Sequence, residues 1–251
     1  AKGRQIALLV PTIDTELEIL AANAGRFAEI GARVVIASPE LVGIARDKQA
    51  TARFFAANNI PSPWTERLDL FLQNPGARQF PLFVKPLAGS SSIGAFKAES
   101  MEAIRLRVTH PAQYVVQELL AGDEYTVNVF FDRNGAFRCA VPHQRLEVRA
   151  GEVSKGVTRR VESLERIAAH LGRVLPGARG PLCFQAFVDC DGNAKVFEIN
   201  ARFGGGYPLA HRAGATFSRW LLEEALGLPA SANNDWRENV TMLRYDAAVF
   251  C

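Results

Sequence analysis

Two rhythms of apolar residues run along this chain. Residues 6–10 form a continuous apolar run of strand length, 15–30 carry apolar positions at the spacing of an amphipathic helix, and 33–37 are a second apolar run reached through Gly31. That order predicts a βαβ unit. A Rossmann-like domain normally has more strands and the chain begins with Ala1, so an incomplete or shortened one is expected. A helix opening at Asp47-Lys48 and running to about Asn58 is stopped at Asn59-Ile60-Pro61-Ser62-Pro63, because proline cannot continue a helix and restrains the residue before it. A short helix over 68–73, a strand over 81–86, a helix over 99–109 and a strand over 114–118 follow.

Beyond residue 119 the period shortens. A long alternating strand over 125–132 reverses at Arg133-Asn134-Gly135 into another over 136–148, which predicts an antiparallel sheet. Residues 150–157 read as a loop between glycines and 161–174 as a helix. The stretch 182–202 then holds two β-type runs around Asp191-Gly192, a dipeptide suited to a tight hairpin because both residues tolerate positive φ. A two-residue turn pairs Cys190 with Asn193 and, counted outward, Gln185 with Glu198, with Asn200 on the same face. The opposite face, Phe184, Ala186 and Val188 against Lys195, Phe197 and Ile199, is mostly apolar and is expected to meet the core. A glycine loop over 203–207 and helices over 209–213 and 217–226 complete the pattern.

Composition removes several function classes. With 251 residues, 48% hydrophobic, the chain can bury a full core, and 29 basic against 26 acidic residues leave no electrostatic footprint for nucleic acid or an anionic membrane. No apolar run has membrane-spanning length and no signal pattern opens the chain, so a cytoplasmic protein is expected. Cys139, Cys183, Cys190 and Cys251 lack CxxC spacing and are expected to be reduced core thiols; the four histidines are scattered, which argues against zinc.

The chemistry-bearing residues sit at two places. A carboxylate and two amide oxygens on one hairpin face, Glu198, Gln185 and Asn200, suit a hard cation such as Mg²⁺, which prefers oxygen and commonly arrives with substrate phosphates; a merely solvated polar face is the alternative. The strand over 81–86 presents Lys85 just before Gly89-Ser90-Ser91-Ser92-Ile93-Gly94, a loop rich in backbone and hydroxyl donors that can wrap phosphate oxygens. It is neither a Walker A loop, since Ala95-Phe96 follows Gly94, nor a nucleophile elbow. A structural hairpin tip is its alternative.

In order along the chain, these segments resemble the ATP-grasp superfamily, specifically its carbamoyl-phosphate-synthase-like ligases. Asp47-Lys48-x-x-Thr51 with Ile60-Pro61-x-Pro63 is similar to the entry segment, Val84-Lys85-Pro86 with Gly89 to Gly94 to the phosphate strand and loop, Val116-Gln117-Glu118 through Glu124 to Val127 to the adenosine hinge, and Phe197 through Arg202 to the metal signature. The resemblance implies an α/β (α+β) fold of two lobes gripping ATP. It divides the chain into a partial pre-ATP-grasp Rossmann-like domain over 1–46 and an ATP-grasp domain over 47–251, with a lid lobe at about 66–118 and a metal and substrate lobe at about 119–251. Lys48, Lys85 and the Gly89, Ser90, Ser91 and Ser92 loop would bind phosphates; Gln117, Glu118, Leu119 and Leu120 would frame adenine; Glu124 would hold ribose; and Gln185, Glu198 and Asn200 would hold Mg²⁺, or Mn²⁺ in its place. Many relatives have an acid where Gln185 stands, which bears on the occupancy of one metal position. Lys155 and Arg202 would face the transferred phosphoryl group, and Asp14, Glu16, Arg145 and Gly205 would border the substrate. The implied activity is an ADP-forming carboxylate–amine ligase with small-molecule substrates, a homodimer being compatible with it. A nucleotide-binding subunit or sensor module and a carbamoyl-phosphate-type phosphotransferase are the alternatives.

Overall fold

The computed structural model describes residues 5–89 and 93–248, so Ser90, Ser91, Ser92 and Cys251 lie outside the described residues. The chain opens with β1 (Leu8–Leu9), α1 (Asp14–Ala28) and β2 (Arg33–Val34), the expected βαβ unit, its two strands pairing in parallel. The α2 helix (Pro39–Arg46) follows, unanticipated although its signal is present: Ser38 accepts from the Leu41 backbone N–H at 3.1 Å and Pro39 occupies the first turn. Asp47 caps α3 (Lys48–Ala57) by accepting from the Gln49 and Ala50 N–H groups, both at 2.8 Å. Leu17 and Ala21 of α1, Leu41 and Val42 of α2 and Phe55 of α3 join one core with Val127, Val129, Phe184 and Ile199, so these helices pack directly on the main sheet.

A small antiparallel sheet comes next. Its order is β3 (Thr65–Arg67), β6 (Tyr114–Glu118), β4 (Leu82–Pro86), β5 (Phe96–Ala98), and α4 (Leu68–Gln73) with α5 (Met101–Arg107) bury Leu68, Phe71 and Ile104 against Leu82, Val84 and Val116. The larger sheet is also antiparallel, in the order β11 (Ala194–Asn200), β10 (Gly180–Val188), β7 (Asp123–Phe131), β8 (Phe137–Arg149), β9 (Glu152–Thr158), β12 (Thr241–Leu243). Strand alternation sends Val127, Val129 and Phe131 to one face under α6 (Glu162–Val174). Phe130, Cys139 and Val141 go to the other, under α7 (Tyr207–Ala213) and α8 (Phe217–Leu226).

Three expectations change. Residues 150–157 are mostly strand β9 rather than loop. Cys139 and Cys183 are buried free thiols, but Cys190 is exposed at a turn. The hairpin turn has three residues, because the Asp189 carboxylate accepts from the backbone of Asp191 and Asn193 at 3.0 and 2.9 Å, closing Asp189 against Asn193 with Gly192 at φ 81°. The register is thereby one residue off the expected pairing at the tip, with Ala186 opposite Val196. It returns at Gln185 opposite Glu198 because Phe197 is an extra, bulged residue. Beyond the bulge the faces exchange: Val196 and Ala194 enter the core, while Lys195 and Phe197, expected there, turn outward toward the small sheet.

Candidate active site

The two sheets face each other across a cleft of ≈ 200 Å³, lined by Lys48, Lys85, Gly89, Gln117, Leu119, Leu120, Glu124, Arg145, Gln185 and Glu198, with the rings of Phe83, Phe187 and Phe197. Each element delivers its residue for a local reason. The Lys48 N–H donates to Leu87 O at 3.1 Å and its Nζ to Gly89 O at 3.0 Å, so the start of α3 is tied to the loop after β4. Lys85 is buried, its Nζ 3.4 Å from the Phe197 carbonyl and 5.3 Å from the centre of that ring. Burial pushes its ammonium down to about 8 against the attraction of Glu198, with Lys48 adding to the fall; Lys48 is lowered too, again first by burial. Both lysines are short of anionic partners, which is what a phosphate chain supplies.

At the opposite wall Arg145 joins Glu124 (Nε to Oε1 3.2 Å), Thr126 Oγ1 (3.3 Å) and Gly151 O (2.9 Å). Burial raises the Glu124 carboxyl, Arg145 opposes that and Glu198 adds to it. Glu198 accepts from Asn200 Nδ2 at 3.2 Å, with Gln185 across the ladder. No group of three His, Cys, Asp or Glu able to hold a metal occurs among the described residues. The donor set is one carboxylate with two amide oxygens. Those are hard ligands of the kind that hold Mg²⁺ together with phosphate oxygens, so the residues fit that ion.

Past Glu198 a second, polar recess begins, bordered by Arg145, Glu152, Cys183, Gln185, Asn200, Arg202 and Gly204 to Gly206. Arg202 donates from Nη2 to Asp14 Oδ2 at 2.6 Å and from Nη1 to Phe203 O at 2.8 Å, while its Nε finds no partner among the described residues. Burial pushes the Cys183 thiol up to about 12, so it is no thiolate at neutral pH. Under the glycines, His143 Nδ1 and Asn128 Nδ2 lie 3.2 Å apart, and burial drives the ring down to about 3, leaving it neutral.

The structure thus brings together Lys48, Lys85, Gly89, Gln117, Leu119, Leu120, Glu124, Gln185 and Glu198 in the cleft, and Asp14, Arg145, Asn200, Arg202 and Gly205 at the recess. Two expected residues fall elsewhere. Lys155 pairs with Glu147 at 2.6 Å, both half exposed, because it sits on strand β9 instead of a loop able to fold inward. Glu16 accepts from the Thr12 and Ile13 N–H groups at 3.1 and 3.4 Å and closes the start of α1. The Glu118 side chain holds Lys195 at 2.5 Å, joining the two sheets, which leaves the Glu118 backbone, the part expected to frame adenine, at the end of β6 beside Leu119 and Leu120. Phe187, Phe197 and Glu152 were missed: the bulge hid Phe197, the loop reading of 150–157 hid Glu152, and for Phe187 the signal was present, since strand alternation puts it on the Gln185 face.

Residues 110–248, more than half of the chain, match the family described as ATP-grasp in the biosynthetic pathway with Ter operon, and residues 55–150 are similar to the D-Ala–D-Ala ligase C-terminus. No curated protein matches by sequence. The fold is similar to the biotin carboxylase domain of Hydrogenobacter thermophilus 2-oxoglutarate carboxylase, solved with MgADP, ADP and bicarbonate (TM-score 0.76, 14% identity, 94% of this chain and 57% of that one). It is also similar to Campylobacter jejuni biotin carboxylase (0.76, 14%, 96% and 59%) and to the L-amino acid ligase of Bacillus licheniformis (0.68, 17%, 87% and 56%). The chain therefore spans between 56% and 59% of these structures' length. At such identities the likeness establishes the fold.

Proposed function

We propose, from the premise that the chain belongs to the ATP-grasp family of the biosynthetic pathway with the Ter operon, that it is an ATP-dependent, ADP-forming carboxylate–amine ligase. The observation that carries this reading is the meeting of Lys48, Lys85, Glu124, Gln185 and Glu198 in one cleft that continues into the Arg202 recess. Adenine lies against Leu119 and Leu120, the ribose hydroxyls at Glu124, and the phosphates between the two underpaired lysines. Mg²⁺, when held by Glu198 with Gln185 and Asn200, would offset phosphate charge. A carboxylate oxygen attacks the γ-phosphorus, the bond to the β-phosphate oxygen breaks, and ADP leaves. The acyl phosphate then has a good leaving group, which a carboxylate lacks, and an amine displaces phosphate. Positioning and charge compensation suffice, with no protein nucleophile.

Charge balance and a lack of any described helix long and apolar enough to cross a membrane fit small-molecule substrates handled in the cytoplasm. The single carboxylate among the three ligand positions favours one rival, a nucleotide-binding module that needs a partner to turn over. The test is ADP release with Mg·ATP across amino acids and small carboxylates, offered singly and in pairs. ADP release that requires a carboxylate and disappears in Glu198→Ala, with an unchanged melting temperature, is expected. Tight ATP binding without ADP release under every pair would overturn the ligase reading for the module.

A further inference from the structure

The recess beyond Glu198 is lined by charges of both signs. Arg145 and Arg202 line it together with Glu152, the first residue of β9, whose side chain lies over Gly205. The carboxylate lies so close to that glycine that a Cβ at position 205 would come within 1.7 Å of Glu152 Oε2. Only the missing side chain lets it occupy this place. Neighbouring cations are engaged elsewhere: Arg145 with Glu124, Lys155 with Glu147, Arg202 with Asp14, and Arg244 with the Gly205 carbonyl at 2.6 Å. Among the described residues no hydrogen bond or ion pair engages the Glu152 side chain. Arg202 is near enough to feel this charge but spends its Nη groups on Asp14 and Phe203, so the Glu152 carboxylate keeps its hydrogen-bonding capacity for a cation from outside.

We propose that Glu152 docks the attacking substrate as an ammonium ion and orients it toward the acyl phosphate, so that the second substrate is a primary amine that is cationic at neutral pH. This rests on the ligase reading above. The lining of the recess supports it: Arg145, Gln185 and Glu198 border both the cleft and the recess, while Arg202 and Glu152 border the recess alone. An ammonium has no lone pair, so one proton passes to Glu152 and on to solvent as the C–N bond forms. The C–O bond to phosphorus-bound oxygen breaks, phosphate leaves with the electron pair, and it takes the second proton. The products are one amide, one hydrogen phosphate and one released proton, which balances the dianionic acyl phosphate and the ammonium consumed.

Hydroxylamine, which is uncharged above neutral pH, separates activation from amine docking. With a carboxylate that supports ADP release, hydroxamate formation reads the first step, and amide formation with primary alkylamines or amino acids reads the second. Glu152→Gln and Glu152→Ala are compared with the parent, since the exposed side chain can be changed without touching the core. Both are expected to keep hydroxamate formation within about twofold and to lose on the order of 10–100-fold in kcat/KM for the cationic amine, the scale of one charge-assisted hydrogen bond. Glu152→Asp should recover part of the loss. Unchanged amide formation in both variants would overturn the assignment while leaving the ligase intact. Equal loss of hydroxamate and amide would place Glu152 in activation and also overturn it. If the parent forms neither product with any carboxylate, the ligase reading fails and the docking proposal falls with it.

Discussion

Lys85→Met should make the protein more stable and less able to bind nucleotide. Methionine keeps an unbranched stem at a residue that is 5% exposed and removes an ammonium that lies over the Phe197 ring and has only a 3.4 Å contact to a carbonyl. Burial, against the pull of Glu198, moves this group from 10.5 to about 8, and at roughly 1.4 kcal/mol per pH unit the charged form costs the folded state about 3 kcal/mol. Glu198 loses a nearby cation in the variant, so the net gain is about 1–3 kcal/mol, or roughly 3–8 °C in Tm for a chain of this size. The sign with pH follows from the lowered folded value: below about 8 both states hold the proton and the cost is full. Between there and 10.5 only the unfolded state holds it, so the parent gains stability as pH rises and the advantage of methionine shrinks. Thermal melts of both proteins at pH 7 and pH 10, with calorimetric titration of an ATP analogue and Mg²⁺ at pH 7, read all three quantities. Affinity should fall at least about tenfold. A variant that melts lower than the parent at pH 7 while binding the analogue equally well would refute the reasoning.

Arg202→Ala should lower both Tm and kcat, since Asp14 is left buried without its partner; adding Asp14→Ala should restore stability, and turnover that returns with it in the double variant would show that Arg202 is purely structural. Lys155→Ala should leave kcat within about twofold, as expected for a half-exposed pair outside the cleft, and a loss of a hundredfold or more would restore its catalytic candidacy. Gly206→Ala should destabilise the fold by about 1–3 kcal/mol in chemical denaturation, because its Cβ would lie 2.4 Å from the buried His143 Nε2; an unchanged midpoint would mean that the glycine loop yields.

Much of this architecture was readable because long alternating strands and proline-terminated helices carry strong periodic signals. The α4, β6 and α8 elements, Leu68–Gln73, Tyr114–Glu118 and Phe217–Leu226, fall where the pattern puts them. The failures have physical causes. Strand β9 contains Gly156 and opens beside Gly151, so its composition reads as loop while its pairing with β8 and β12 makes it strand. That error misdirected Lys155, and it hid Glu152, whose place on the recess depends on a partner loop some fifty residues away. Three-residue strands such as β3 and β12 exist because a neighbour offers a free edge, which no local pattern encodes. The ion pair of Asp14 with Arg202 joins positions separated by 188 residues and is likewise a tertiary fact.

The hairpin shows how a correct pairing can follow from an incorrect turn. Gln185 faces Glu198, as a two-residue turn predicts, but through two cancelling irregularities: a third turn residue at the tip and the bulge at Phe197. The bulge has consequences that a regular ladder would lack. It turns the Phe197 ring into the cleft against Phe187, centroids 5.5 Å apart, and frees the Phe197 carbonyl for Lys85. On the same strand Val196 N–H reaches the Pro61 carbonyl at 2.8 Å, and Lys195 reaches Glu118 of the small sheet. Within four residues, Lys195 to Glu198, β11 contacts the segment after α3, the last strand of the small sheet, the buried lysine and the carboxylate suited to a metal. A regular strand would send Phe197 to the core and Val196 into the cleft, exchanging the aromatic wall for a methyl surface. The irregularity is therefore what sets the Phe197 ring and its free carbonyl beside Lys85, next to a metal-suited face that keeps its regular pairing.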